Sequence, residues 1–479
     1  MLLPLSIALA MMLAVPLTSP MVLAQPNAIR SSVIADSVMP IDSDFTFTED
    51  LVGTTLVVTA DKVTINGNGF TLRGPSLFSA YGIVVVGHSK VTIENLRIET
   101  WYVGIQVEDS EKCKLTDNVV SDCDYGIVLY DCNKIDVKRN TVSDCSMEGI
   151  YLRSSTNSKL IDNILAANAD LGIFLRFSSM NTLTGNLCYE NRIGIQLMYS
   201  DSNSIIGNSC GNNEETGIFL GSSTENTVAD NTCNDNKEGI ALSFSTFNTL
   251  TRNTCERNEV GIQLYESDSN SVAENTCSTN TFDGILVHYS NLNTVSRNIC
   301  TGNGNGIFIN FGESNTADDN TCTGNVGGIN LSWSKDCVLV RNTCSNNDEA
   351  GIYVAGPSDE PTYNIVTENI CNENNEGIAL SFSTFNTLTR NTCERNRLVG
   401  IQLYESSANL IYHNNLIDNT AQALDTDPAG NHWFDPDSSE GNYWSDYPGV
   451  DLGDDGIGDT FTPWNHDEYP FIYENGWLL

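Results

Sequence analysis

The chain has 479 residues, with 61 acidic against 23 basic side chains and a formal net charge of −38. So negative a surface repels the phosphates of nucleic acids and anionic membranes, and argues against both as partners. Only 18 % of the residues are charged while 40 % are hydrophobic, so this is not a disordered acidic tail.

Residues 1–24, MLLPLSIALAMMLAVPLTSPMVLA, are apolar, uncharged and end in Val22-Leu23-Ala24. They are expected to be a secretory signal cleaved before Gln25. Pro4, Pro16 and Pro20 argue against a spanning helix, and no later stretch is apolar enough to cross a bilayer. The expected location is secreted, periplasmic or at the cell surface. There, 15 cysteines would ordinarily imply a disulfide framework.

Residues 25–72 are expected to form an N-terminal cap and first coil, and residues 73–420 are repetitive. Fifteen Gly-Ile pairs run from Gly82 to Gly400 in steps of 22 or 23 residues, with one step of 26 that contains GPSDEPTYN. The unit reads NTCxxNxxGIxLxxSxxNT[LV], and residues 238–258 recur letter for letter at 376–396. Three short alternating segments per unit, separated by Asn, Ser and Gly, predict three strands per coil and an all-β, right-handed parallel β-helix. One coil alone cannot offset the backbone entropy it orders, so coils must stack.

Stacking turns letters into columns. Cys188, Cys210, Cys233, Cys255, Cys277, Cys300, Cys322, Cys344, Cys371 and Cys393 share one register position that alternation points inward. A file of small apolar thiols is expected there, since parallel Cβ vectors disfavour disulfides and no cation supports thiolates. Two Asn columns, one through Asn253 and one through Asn258, are expected to hydrogen-bond at the corners.

Outward positions carry the candidate chemistry. Tyr151, Phe174, Tyr199, Tyr265, Tyr289 and Trp333 form a candidate stacking track for sugar rings. In the early coils Glu108, Asp109 and Asp131 fall near Arg153 and Arg176. With Asp109, Asp131, Arg153 and Arg176 as catalytic candidates, a calcium-dependent polysaccharide lyase or a glycoside hydrolase is the alternative reading. Residues 421–479 are expected to cap the rod with Trp433, Trp444, Trp464, Trp477, Tyr443 and Phe461. Their DLGDDGIGD segment offers Asp451, Asp454, Asp455 and Asp459 as candidate calcium ligands around Gly456.

The NTCxxNxxGIxLxxSxxNT coils, the entry VTINGNGFTLRG (63–74) and the ending GNYWSDYPGVDLGDDGIGDT (441–460) resemble the NosD-type β-helix repeats of the carbohydrate-binding and sugar-hydrolase class, within the pectin-lyase-like fold. The resemblance spans about residues 40–470 and implies the fold more strongly than an activity. It also implies a copper-accessory role, but the five histidines (His88, His288, His413, His432, His466) are scattered, so copper is not expected. The expected function is binding of polysaccharide or surface glycan, or structural service in the envelope.

Overall fold

Each repeat folds as one coil of three short strands, because its alternation has a period of two and its Asn-, Ser- and Gly-rich segments accept the backbone of tight corners. The computed structural model describes residues 37–75, 80–357, 360–427, 430–460 and 467–478. The expected signal segment 1–24 lies outside them. Successive coils pair in parallel and in register. Ile218, Ile240, Ile262 and Ile285 align on the long face. Val228, Leu250 and Val272 align on the second face, and Cys255, Cys277, Cys300 and Cys322 on the third. This is the expected parallel β-helix.

Among the described residues the long face holds 18 strands, against fifteen Gly-Ile pairs. Ser37–Ile41, Thr54–Val58 and Ala421–Asp425 make long-face strands without that pair. Two of these strands thus fall within residues 25–72, expected as cap and first coil, and the third lies beyond residue 420, in the expected cap. At about 4.8 Å per coil the rod is on the order of 80 Å long. Its glycine column is a packing requirement: a Cβ on Gly239 would lie 2.5 Å from the Gly261 carbonyl oxygen of the next coil.

The interior is one continuous core of stacked columns, mostly Ile, Leu, Val and Cys, at or near zero exposure. All fifteen cysteines are free and buried, so the rod is held without disulfides. Burial pushes the thiols of Cys188 and Cys233 far up, and hydrogen bonds with the neighbouring thiols, together with burial, do the same for Cys277 and Cys322, which keeps these four protonated.

The corners carry amide ladders. Asn231 donates both its backbone N–H and its Nδ2 to Asn253 Oδ1, each at 3.0 Å, while Asn253 Nδ2 reaches Asn275 Oδ1 and the Val228 carbonyl at 2.9 Å. The column through Asn258 does the same. A third Asn ladder runs through Asn203, Asn226 and Asn248, and a Ser ladder through Ser200, Ser223 and Ser245.

A ladder must end on an acceptor, and the C-terminal segment supplies one for each of the three Asn ladders. Asp467 receives Asn442 N–H at 2.9 Å, Gln422 receives Asn419 Nδ2 at 2.8 Å, and Asp425 receives Asn431 Nδ2 at 3.2 Å. Trp433 and Trp444, 0 % and 2 % exposed, pack against each other at the end of the core and donate their indole N–H groups to Asp425 and Asp467. Trp477 stacks on His413 instead, and the expected cap residues Phe461 and Trp464 lie outside the described residues.

Candidate functional site

On the long face, the residues before, two after and four after each glycine point outward. In the early coils this surface is crowded. Glu108, Tyr130, Arg153 and Arg176 align in one column. The Arg153 guanidinium lies 6.0 Å from the Tyr130 ring centre, and that of Arg176 lies 5.3 Å from Phe177. Asp109 and Asp131 sit at the adjoining corner, exposed and in left-handed backbone (φ 47° and 50°). The structure therefore brings the sequence-predicted Asp and Arg residues to one edge.

Two expected stacking residues turn out otherwise. Tyr151 and Phe174 point outward but are 1 % and 8 % exposed, because they stack on each other at 5.1 Å inside a secondary cluster with Val103, Val128, Leu171 and Ile193. Neither is a free platform for a ring.

Sequence reasoning missed Glu148 at the floor of this region. It is 4 % exposed, its Oε2 has no hydrogen-bond partner, and burial next to Asp170 pushes its carboxyl up to about 7, against a smaller pull from Arg192. Glu108 is also raised, by burial, with the hydrogen bond from Gln106 opposing. The only signal for Glu148 was its place before a column glycine, a position also held by Tyr125, Leu171 and Thr216.

The more accessible surface lies further along, at the corner after the long strand. Phe244, Tyr289, Phe311 and Trp333 occupy the first corner position, 55 %, 46 %, 41 % and 55 % exposed. All four are left-handed, with φ of 51°, 49°, 53° and 52°. Their rings form a continuous ridge with Tyr265: Phe244–Tyr265 at 6.1 Å, Tyr265–Tyr289 at 6.2 Å, Tyr289–Phe311 stacked at 4.9 Å, and Phe311–Trp333 at 6.0 Å. Tyr199 belongs to an earlier pair with Phe177, 5.2 Å apart.

Three residues on, a second left-handed position exposes Phe247 and Leu292. Between the two rows runs a polar floor. Asp268 accepts Asn291 N–H at 2.7 Å, Asn291 Oδ1 accepts Glu313 N–H at 2.8 Å, and Lys335 pairs with Glu313 at 3.4 Å. The result is a groove with an aromatic wall and hydrogen-bonding groups below it. It ends in an open cavity of about 210 Å³ lined by Phe311, Trp333, Lys335, Pro357 and Pro361.

The carboxylates of the C-terminal Asp segment are engaged with their own loop. Asp451 accepts the amides of Gly456 (2.9 Å) and Asp455 (3.3 Å), Asp455 accepts that of Ile457 (3.0 Å), and Asp459 accepts that of Gly453 (3.3 Å). Asp454 is exposed and left-handed (φ 54°). Among the described residues no three His, Cys, Asp or Glu side chains are grouped so as to hold a metal ion. No described helix is long and apolar enough to cross a membrane.

Comparisons with known proteins bear on fold and family. No curated protein matches the chain. Similar solved structures include the periplasmic alginate epimerase AlgG, 15 % identical with a TM-score of 0.35 over 59 % of this chain and 77 % of that one. Dettilon tailspike protein is 12 % identical with a TM-score of 0.30, over 82 % and 62 %. DFA-IIIase from Arthrobacter chlorophenolicus A6 is 12 % identical with a TM-score of 0.30, over 54 % and 82 %. Likeness at this level concerns the fold alone. A family model for the right-handed β-helix region matches residues 132–277, in keeping with the handedness expected from the sequence. The model of the periplasmic copper-binding protein (NosD) family matches residues 27–186 and 278–449, most of the chain, and the chain belongs to that family.

Proposed function

We propose that this protein binds polysaccharide or surface glycan outside the cytoplasm, along the corner groove from Phe244 to Trp333. One observation carries the reading. A bulky aromatic in left-handed backbone costs about 1 kcal/mol or more relative to Gly or Asn. The ridge carries four such rings, all substantially exposed, so the fold gains little core from them. A row of ring faces above hydrogen-bonding groups suits the apolar face and hydroxyls of pyranose rings. A glycan-array screen tests this: retention on a defined set of glycans is expected, and no retention on any would refute it.

Copper is implied by the family description, and His88, His288 and His413 among the described residues do not fit it. His88 Nδ1 faces Asp61 at 3.2 Å, His413 Nε2 faces Glu440 at 2.7 Å, and His288 is packed among Tyr265, Tyr289 and Phe311. The stacked thiols are sealed from solvent. Calcium at Asp451, Asp454, Asp455 and Asp459 is a separate proposal: a lower melting temperature in a chelator supports it, and an unchanged one rejects it.

A lyase or glycosidase reading is favoured by one feature, the Tyr130–Arg153–Arg176 column beside Asp109 and Asp131. Incubation with uronate polymers and calcium, followed by assay for unsaturated or reducing ends, decides it.

A further inference from the structure

We infer that the groove receives the end of a glycan chain, and that the sugar it takes there is uncharged. The inference rests on the glycan reading above and adds the direction and class of the ligand. The ridge stops where the repeat breaks. At the corner position occupied by Tyr289, Phe311 and Trp333 in successive coils, the next coil has Gly356, followed by the four-residue excess of the 26-residue step. A side chain at Gly356 would meet Thr362 Cγ2 at 2.6 Å, so a small residue is what lets Gly356 and Thr362 approach each other here.

The return is firmly built. Thr362 Oγ1 lies 3.0 Å from Ser383 Oγ, within the Ser column that the insertion interrupts, and donates to or lies near Thr384 O and Asn386 Oδ1 at 2.8 Å. Thr362 is 2 % exposed. Between these anchors Pro357, Glu360 and Pro361 line the cavity beside Phe311 and Trp333. A track of stacked rings that runs into a proline-bearing wall admits a chain end and blocks a chain from passing through.

Charge sets the class. The groove borders hold Glu266, Asp268, Glu313 and Glu360. The cation on the floor, Lys335, is paired with Glu313, and burial lowers the pKa of His288, favouring its neutral form. A sugar carboxylate would meet net negative charge here, whereas hydroxyls find carboxylate, amide and ammonium partners.

The test counts protein molecules bound per polysaccharide chain, using length-graded glucans, mannans and xylans that are uncharged, with polygalacturonate as the anionic control. The inference predicts a stoichiometry independent of chain length and no binding to polygalacturonate. Deleting residues 358–361 together with Pro357→Ser restores the ordinary repeat length, and stoichiometry should then rise with length. Trp333→Asn should weaken binding about tenfold, while Phe382→Asn, on the far side of the wall, should leave it unchanged. Stoichiometry that grows with length in the unaltered protein, a preference for polygalacturonate, or equal loss in both point variants overturns the inference while the glycan reading stands. Failure to bind any of these polymers or any arrayed glycan overturns both.

Discussion

At the scale of single residues, two side-chain types do opposite jobs at the corners. The stacked asparagines are buried and fully engaged, so each is structural. Replacing Asn253 by Ala leaves Asn231 Nδ2 and N–H without Asn253 Oδ1, and the Val228 carbonyl without a donor. Several buried polar groups left unmade predict a loss of about 3 kcal/mol or more, read in denaturant unfolding; a loss near zero would mean that water replaces the ladder. The aromatic corners behave in the reverse way. Trp333→Asn removes an exposed ring from a left-handed position that Asn accepts. Its melting temperature is expected to stay the same or rise, and a marked fall would make the ring structural.

The sequence made some residues legible and others not. The inward file of cysteines and the two Asn columns through Asn253 and Asn258 followed from period and register. The third Asn ladder and the Ser ladder occupy the SxxN positions of the same unit, where Asn and Ser read simply as turn residues. Alternation shows that Tyr151 points outward but not that it is buried. Its cover comes from Phe174 one coil away, which a single strand's pattern does not reveal.

At the scale of elements, each coil is a cassette, and the identical segments 238–258 and 376–396 show how interchangeable cassettes are. Both long strands have the same burial pattern, in Glu238–Ser243 and in Glu376–Ser381. What differs lies outside them. The first copy enters an unbroken ridge through Phe244 and Tyr265, and the second follows the insertion. The proposed binding groove is therefore set apart by a departure from the repeat, the 26-residue step, which the sequence marks only by its length and its GPSDEPTYN segment. The cysteine file belongs to this scale too. Because all fifteen thiols are free and buried, a thiol reagent should label the native protein scarcely at all and label fifteen sites per chain once it is unfolded. Fewer than fifteen after unfolding without reductant would indicate disulfides.

At the scale of the whole molecule, the C-terminal segment closes both the apolar core and the polar ladders, and one of its acceptors, Asp467, is a buried carboxyl like Asp283 and Glu148 further up the rod. Burial pushes Asp467 and Asp283 up to about 6, and Glu148 up to about 7. Groups raised in the folded state keep their protons there longer than in the unfolded chain. Their stabilisation is complete below the ordinary carboxylate range and is lost as pH rises through about 6 to 7. Repulsion among 61 acidic residues acts in the same direction. The melting temperature should therefore be higher near pH 5 than near pH 8, in the range these shifts span. Glu148→Gln, which cannot ionise, should narrow that gap; an unchanged gap would remove Glu148 from the account.

On the proposed function, the exposed rings of the corner groove exist to hold sugar. Affinity electrophoresis through gels containing the neutral glycans selected by the array measures this directly, comparing the unaltered protein with the Phe311→Asn/Trp333→Asn double variant at matched melting temperature. The account predicts that the unaltered protein is retarded and the double variant runs freely. Equal retardation of the two, or none for either, would contradict it.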